Sequence, residues 1–389
     1  MTLTIGALKT IDASDIKLLA NCLGPCITIL LPSHHPGATD GARGASFRRM
    51  IRMIEEQLAQ GKLASLAAKL IAPLEDLAGP GIEAGGAGVA IFRSSQDLLL
   101  YRTNAAKREL VVIASHFHLT PLLSAAFVPQ EFFILEINKK RLRLLKLSHG
   151  ECRELALPAS VHPNMEAAGS FAKHSHDLAS HSASSGGSAG AAQATHFGML
   201  SERDAAGDYF HHFLSSVDKG LMETLDGAAL LLAGVHEEIT AYRRAAKYPH
   251  ILRSEVRGNT EFMPLHQIAG RAVEAVLADY YMSGQQVLQE YREMTDRARV
   301  LSGVREVLKA AAQGRVHRLC VAEGAESTGL MERDLNSAYI GEENLVNAAV
   351  AQTLRMGGEV FALPADRMPE IGPLAAILRY GGPESAREG

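Results

Sequence analysis

The chain is predicted to be an α/β protein of three domains. Three observations support this. Short apolar runs of strand length alternate with longer stretches whose apolar residues recur at helical spacing. Turn-forming residues stand between them. At 389 residues the chain is long enough for two or three separate cores. Apolar residues make up 47% and charged residues 21%, which is ordinary for a globular chain, so no compositional bias points away from packed domains. Trp is absent and aromatics are few, so Leu, Ile, Val and Ala must build the cores.

In the first segment, residues 1–126, Cys26–Leu31 is a continuous apolar run closed by Pro32, as expected of a buried strand. Phe47, Met50, Ile51, Ile54 and Leu58 follow at helical spacing, with Arg48, Arg49 and Arg52 on other faces as solvated charge. Gly85-Gly86-Ala87-Gly88 precedes a strand rather than a helix and reads as a turn. Strands are expected over Val89–Arg93, Leu98–Arg102 and Leu110–His118. The last would place His116 and His118 on one strand face. With no third ligand in view, a packed or hydrogen-bonded histidine pair is the expected outcome.

In the second segment, residues 127–260, Phe132–Ile137, Arg141–Leu147 and Cys152–Leu157 read as consecutive strands, joined by Asn138-Lys139-Lys140 and Ser148-His149-Gly150. A long loop, 160–202, comes next. Phe210, Phe213, Leu214, Val217, Leu221 and Leu225 then line one face of a helix. Ala228–Val235 is a strand, a helix begins near Glu237, and Ile251–Val256 is a further strand. Three meander strands followed by αβαβ is the ribonuclease-H-like topology.

In the third segment, residues 261–389, Ile268, Ala272, Val273, Val276 and Tyr280 mark one helix, and a second is expected from about Gln285 to Ala312. Val316–Ala322 is a strand. Leu345, Val346, Ala349, Val350 and Leu354 form a helix stripe stopped by Gly357-Gly358. Glu359–Leu363 and Ile377–Tyr380 are strands. The alternation predicts a small α/β/α sandwich.

The loop of the second segment is the most unusual feature of the chain. Between Ala167 and His196, 24 of 30 residues are Ala, Ser, Gly or His. Such a stretch buries too little apolar surface to offset its ordering entropy, and a mobile, functional arm is expected.

The chemistry carried by motifs is sparse. There is no Walker loop, no G-x-G-x-x-G and no G-x-S-x-G. A nuclease would need several carboxylates converging on divalent metal. Glu136, Glu237, Glu238, Asp208, Asp218 and Glu223 do not fall into register for that. Among His174, His176 and His181 of the loop, a metal site would have to order a flexible arm, so these are weak ligand candidates; no cofactor is expected. Cys22 and Cys26, with His34 and His35 nearby, make at most half a zinc site, and buried thiols beside an apolar strand are the expected outcome. Lys139, Lys140, Arg141, Arg143 and Lys146 cluster where the meander turns. They read as a charged strand edge or as an RNA-backbone contact. Net charge is −4, which argues against broad nucleic-acid binding but leaves room for such a local patch. No signal-peptide pattern and no bilayer-length apolar run is present, so the cytoplasm is the expected compartment and no membrane is involved.

The order of domains, and the segments ASHFHLTPLL (114–123), FFILEINKKRLRLLKL (132–147), GRVHRLCVAEG (314–324) and GGEVFALPADRMPEIGPLAAILRY (357–380), resemble a bacterial branch of the archaeal and eukaryotic peptide-chain release factor and Pelota superfamily. The resemblance implies an N-terminal α/β domain, a ribonuclease-H-like middle domain, and a C-terminal domain like kink-turn-binding ribosomal proteins. It implies the ribosome or tRNA as partner, and a translational GTPase beside it. In release factors of that superfamily the loop after the third middle-domain strand carries Gly-Gly-Gln. Here Gly186-Gly187 is followed by Ser188, and the nearest glutamine is Gln193. The resemblance therefore implies a ribosome-associated factor that acts in hibernation or rescue under stress without hydrolysis. Two alternatives stand beside it: a peptidyl-tRNA hydrolase using Gly186, Gly187 and Gln193, and a fold reused for another binding role. Neither a kink-turn signature nor an Asn-Ile-Lys-Ser motif is present.

Overall fold

A computed structural model describes residues 8–32, 40–59, 64–78, 87–129, 131–138, 140–148, 151–168, 202–330, 342–368 and 371–381. The fold is mixed α/β. By packing it divides into two compact units, residues 129–279 and residues 1–128 together with 280–389.

In the unit formed by both ends of the chain, α1 (Ala13–Ala20) starts at Asp12. The Asp12 carboxylate accepts from the backbone of Ser14 and Asp15, and Asp15 returns the bond to the Asp12 N–H. β1 (Cys26–Leu31) is central in an antiparallel sheet. The order is β3 (Leu98–Thr103), β2 (Gly88–Arg93), β1, β4 (Leu110–Ala114). Its period-two alternation splits it between two cores. Ile27, Ile29 and Leu31 pack with Phe47, Met50 and Ile54 of α2 (Asp40–Ala59) and Leu70 and Leu74 of α3 (Ala64–Ala78). Cys26 and Leu30 face a core shared with the C-terminal segment. Both faces are covered, which is why five of its six residues are apolar and the sixth, Thr28, is buried with its hydroxyl hydrogen-bonded. A short helix, α4 (Leu123–Phe127), closes this stretch.

The strand expected to continue to His118 ends at Ala114. Beyond it the backbone donors leave the ladder for side chains. Ser115 N–H donates to Glu343 Oε1 (2.9 Å), His118 N–H to Thr28 Oγ1 (2.9 Å) and Leu119 N–H to Asn347 Oδ1 (2.7 Å). His116 and His118 are therefore not strand residues.

In residues 129–279, β5 (Glu131–Asn138), β6 (Arg141–Ser148) and β7 (Glu151–Leu155) form the meander. β8 (Leu230–Gly234) and β9 (Ile251–Arg257) add in parallel on the other side of β5, giving the order β7-β6-β5-β8-β9. This is the ribonuclease-H-like arrangement. The crossovers are α5 (Glu202–Leu225) and α6 (His236–Ala245). Phe213, Leu214, Val217 and Leu221 of α5 and Ile239 and Tyr242 of α6 pack on Leu135, Ile137, Leu230 and Leu232. Gly234 ends β8 at φ +150°, and a Cβ there would meet the Ile137 carbonyl oxygen at 2.6 Å, so only glycine fits.

α7 (Leu265–Glu293) is one continuous helix where two were expected. Ser283-Gly284 does not end it. Gly284 instead lets the helix lie close against Leu363, since a Cβ would sit 2.8 Å from its Cδ2. The expected second helix is split, because the chain leaves α7 after Glu293, forms β10 (Val300–Leu301) and re-enters helix only at α8 (Val304–Ala312). β11 (Val316–Ala322), β14 (Glu359–Leu363) and β15 (Leu374–Leu378) complete the sheet β10-β15-β11-β14, and β12 (Thr328–Leu330) pairs with β13 (Glu342–Asn344). α9 (Leu345–Arg355) and α8 cover one face through Val346, Val350, Val307 and Ala310. Val287 and Leu288 of α7 cover the other against Cys320 and Ala322. The three layers are α/β/α. Among the described residues no helix is long and apolar enough to cross a membrane.

Candidate functional site

The basic cluster sits on the β5–β6 hairpin. Asn138 Oδ1 accepts the Lys140 N–H (2.9 Å), an Asx turn that lets the chain reverse over two residues. The register is then fixed: Asn138 faces Arg141, Glu136 faces Arg143, and Phe133 faces Lys146.

That register separates the five cations. Arg143 is buried, and its Nε donates to Glu136, itself 2% exposed. Arg143 also reaches the Thr260 carbonyl (3.4 Å) and lies 3.8 Å from Glu154. The hydrogen bond that Arg143 donates to Glu136 holds the guanidinium even more firmly protonated. Arg141 is exposed and pairs with Glu154 at 3.1 Å. Lys146 lies 5.8 Å from the centroid of the Phe133 ring and 3.7 Å from Glu131. Lys140 is exposed, and Lys139 lies outside the described residues. Sequence reasoning grouped these five by type and missed the Glu136–Arg143 pair. The two-residue turn carried the signal, because it sets 136 opposite 143.

The carboxylates of the same unit are engaged separately. Asp218 accepts from the Tyr242 hydroxyl (3.2 Å) and the Lys247 N–H (2.8 Å), and burial pushes the Tyr242 phenol well above its ordinary range. Glu255 accepts from Arg257 (2.5 Å) and Arg243 (3.5 Å). Among the described residues no three His, Cys, Asp or Glu side chains come together as a metal site.

Gly186, Gly187, Gln193, His174, His176 and His181 lie outside the described residues. The edges of their loop are described. Val161 packs into the core beneath α5, Pro163 accepts the Leu142 N–H (2.7 Å), and the Tyr209 hydroxyl donates to the Met165 carbonyl (3.1 Å). Chain leaving β7 is thus fastened at Met165, beside the first turns of α5.

In the other unit, a buried polar seam joins the N-terminal and C-terminal segments. Ser115 Oγ donates to Glu343 Oε2 (2.7 Å) and contacts His116 Nδ1 (2.8 Å). His116 Nε2 lies 3.1 Å from Gln352 Nε2. The amide nitrogen can only donate, so His116 carries its proton on Nδ1 and gives it to Ser115. Asn347 donates to the Phe117 carbonyl (3.0 Å) and accepts from Leu119 and Thr120. Burial raises the Glu343 carboxyl.

His118 is buried beside this seam, and its Nδ1 has no hydrogen-bond partner. Burial, aided by the Arg108 charge, pushes its imidazole from 6.5 down to about 4. The unfolded chain takes up this proton near its ordinary value and the folded chain only near the lowered one. Stability from this group is complete above the ordinary value and falls as pH drops toward the lowered one. A loss of about 1 kcal/mol by about pH 5.5 is expected. In urea titrations at several pH values, His118→Gln should flatten that part of the profile; an unchanged slope would refute it.

Residues 131–315 match the model of bacterial archaeo-eukaryotic release factor family 3, a span that runs from β5 to just beyond α8. Over these residues the chain is similar to the bacterial archaeo-eukaryotic release factors. It is also similar to solved structures along much of its length. One is an archaeal translation termination factor, aRF1, at 14% identity over 95% of this chain and 99% of that one, with a TM-score of 0.25. A model of ribosome-bound archaeal Pelota and ABCE1 gives 12% identity, 96% of each chain and a TM-score of 0.37. Dom34 of S. cerevisiae, a translation termination-like factor interacting with Hbs1, gives 11% identity, 74% of each chain and a TM-score of 0.33. No curated protein matches the chain.

Proposed function

We propose that this chain is a ribosome-associated, release-factor-like protein that occupies the ribosomal A site under stress, in hibernation or rescue, without hydrolysing the peptidyl ester. The observation that carries the reading is the family match over residues 131–315, which takes in the whole meander, the loop and both crossover helices. The loop stands in the chain between β7 and α5, the position at which release factors carry Gly-Gly-Gln. Its Gly186-Gly187-Ser188 sequence lacks the adjacent amide that would help place a water. Lys140 and Arg141 at the hairpin turn, with Lys139 beside them in sequence and Lys146 on the same strand, supply cations for an RNA backbone. The ribosome or tRNA is the partner, and a translational GTPase delivers or releases the factor.

Sedimentation of stationary-phase lysates tests this. The protein is expected to travel with ribosomal particles, and Lys140→Glu/Arg141→Glu should shift it toward the top of the gradient. The variant should also lower the salt slope of binding by about 2. Wild-type protein found only at the top would refute ribosome association. Peptidyl-tRNA release by the purified protein, lost on Gly187→Ala, would instead establish the hydrolase.

A further inference from the structure

Two cysteines meet across the turn between α1 and β1. Cys22 follows α1 and Cys26 opens β1, with Leu23-Gly24-Pro25 between them. Gly24 takes φ +109°, and its N–H donates to the Ser115 carbonyl (3.1 Å). This turn brings the two sulfurs to 3.7 Å, with the Cys26 thiol donating to Cys22. Cys22 is partly exposed and Cys26 is buried. Among the described residues no further ligand joins them as a metal set. The arrangement is an accessible sulfur backed by a sheltered one.

We propose that Cys22 and Cys26 are a hydroperoxide-reactive dithiol, in which Cys22 is oxidised first and Cys26 resolves it as an intramolecular disulfide. The Cys22 thiolate attacks a peroxide oxygen, and the O–O bond breaks. Cys22 becomes a sulfenic acid, and the leaving hydroxide or alkoxide takes up from solvent the proton that the Cys22 thiol had released, departing as water or an alcohol. The Cys26 sulfur then attacks Cys22, and the S–O bond breaks. The hydroxide takes the Cys26 proton and leaves as water. Two thiols lose two electrons to the peroxide, and no other reductant is needed.

The electrostatics agree with these roles. The hydrogen bond from Cys26, with help from Ser94, holds the Cys22 thiol below its ordinary range, which favours the thiolate that attacks the peroxide. The Cys22 sulfur and burial together push Cys26 up, which keeps it a protonated donor until Cys22 has been oxidised. The sulfurs must close to about 2 Å. Cys26 is fixed opposite Ala114 in the sheet, so the movement falls to Cys22 at the end of α1. Cys152 and Cys320 serve as internal controls. Burial pushes both thiols up, Cys320 to about 12.

The test treats the full chain with hydrogen peroxide, alkylates it under denaturing conditions and measures mass. The peptide carrying Cys22 and Cys26 is expected to lose two hydrogens and to resist alkylation until reduced, while Cys152 and Cys320 alkylate normally. In Cys26→Ser, dimedone should trap a sulfenic acid at Cys22. In Cys22→Ser, Cys26 should remain reduced, with circular dichroism confirming the fold. Equal alkylation before and after peroxide would overturn the proposal. So would overoxidised Cys22 beside a free Cys26, or a disulfide between chains. The wild-type measurement stands whether or not either variant folds.

Discussion

Arg143→Ala is expected to destabilise residues 129–279 by about 4 kcal/mol, because it leaves Glu136 as a buried carboxylate without its cation. The guanidinium is also one of the groups that reaches the Thr260 carbonyl, so the loss extends to the segment after β9. Removing both charges should cost far less than removing one. Arg143→Met combined with Glu136→Leu keeps most of the buried volume and removes the need for the pair. Urea unfolding of the single and double variants checks this. A single variant within about 1 kcal/mol of wild type would mean that water reaches Glu136. The same experiment bears on the basic cluster. If Arg143 acts only inside the fold, the double variant should sediment with ribosomes as wild type does, whereas Lys140→Glu/Arg141→Glu should not.

Asn347→Ala should cost about 3 kcal/mol in the unit formed by both chain ends. One side chain satisfies the Leu119 and Thr120 N–H groups and the Phe117 carbonyl, and these belong to a segment more than two hundred residues away. The alanine leaves buried backbone groups unpaired, and each such group costs about 1–3 kcal/mol. Asn347→Asp separates the contributions. It keeps the acceptor for Leu119, loses the donor to Phe117 and buries a charge. A thermal melt should rank wild type above both variants. If Asn347→Ala melts with wild type, the seam does not hold the two segments together.

Most elements were legible in the sequence because their patterns are local. Cys26–Leu31 reads as a buried strand from six consecutive apolar or small residues, and the structure covers both its faces. The α5 stripe from Phe210 to Leu225 reads as a helix, and five of its members, Phe213, Leu214, Val217, Leu221 and Leu225, are buried in the core of its unit. The strand from Leu110 was read too long, because apolar alternation does not reveal where donors find partners outside the ladder. Glu343 and Asn347 capture those of Ser115 and Leu119 from far along the chain. The stripe ending at Tyr280 and the stretch from Gln285 read as two helices for a related reason, because Gly284 lies between them. Glycine in a sequence signals a stop or a close approach, and only Leu363 on the neighbouring strand distinguishes them.

The hairpin shows the same division at the candidate site. The sequence placed five cations in eight residues and a two-residue turn among them. Apolar periodicity and turn residues along the chain determined the α/β class, the β-meander followed by αβαβ, and the place of the Gly-Ser-His loop between β7 and α5. All of these follow from periodicity and turn chemistry within some twenty residues. Only the tertiary structure decided that Arg143 turns inward to Glu136 while Lys140 and Arg141 stay outside. It also decided that Asn347 completes the backbone of residues 117–120, and that Cys22 and Cys26 meet at 3.7 Å. Each of those outcomes depends on strand register, burial or a reversal of the chain, and none is fixed by the identity of neighbouring residues.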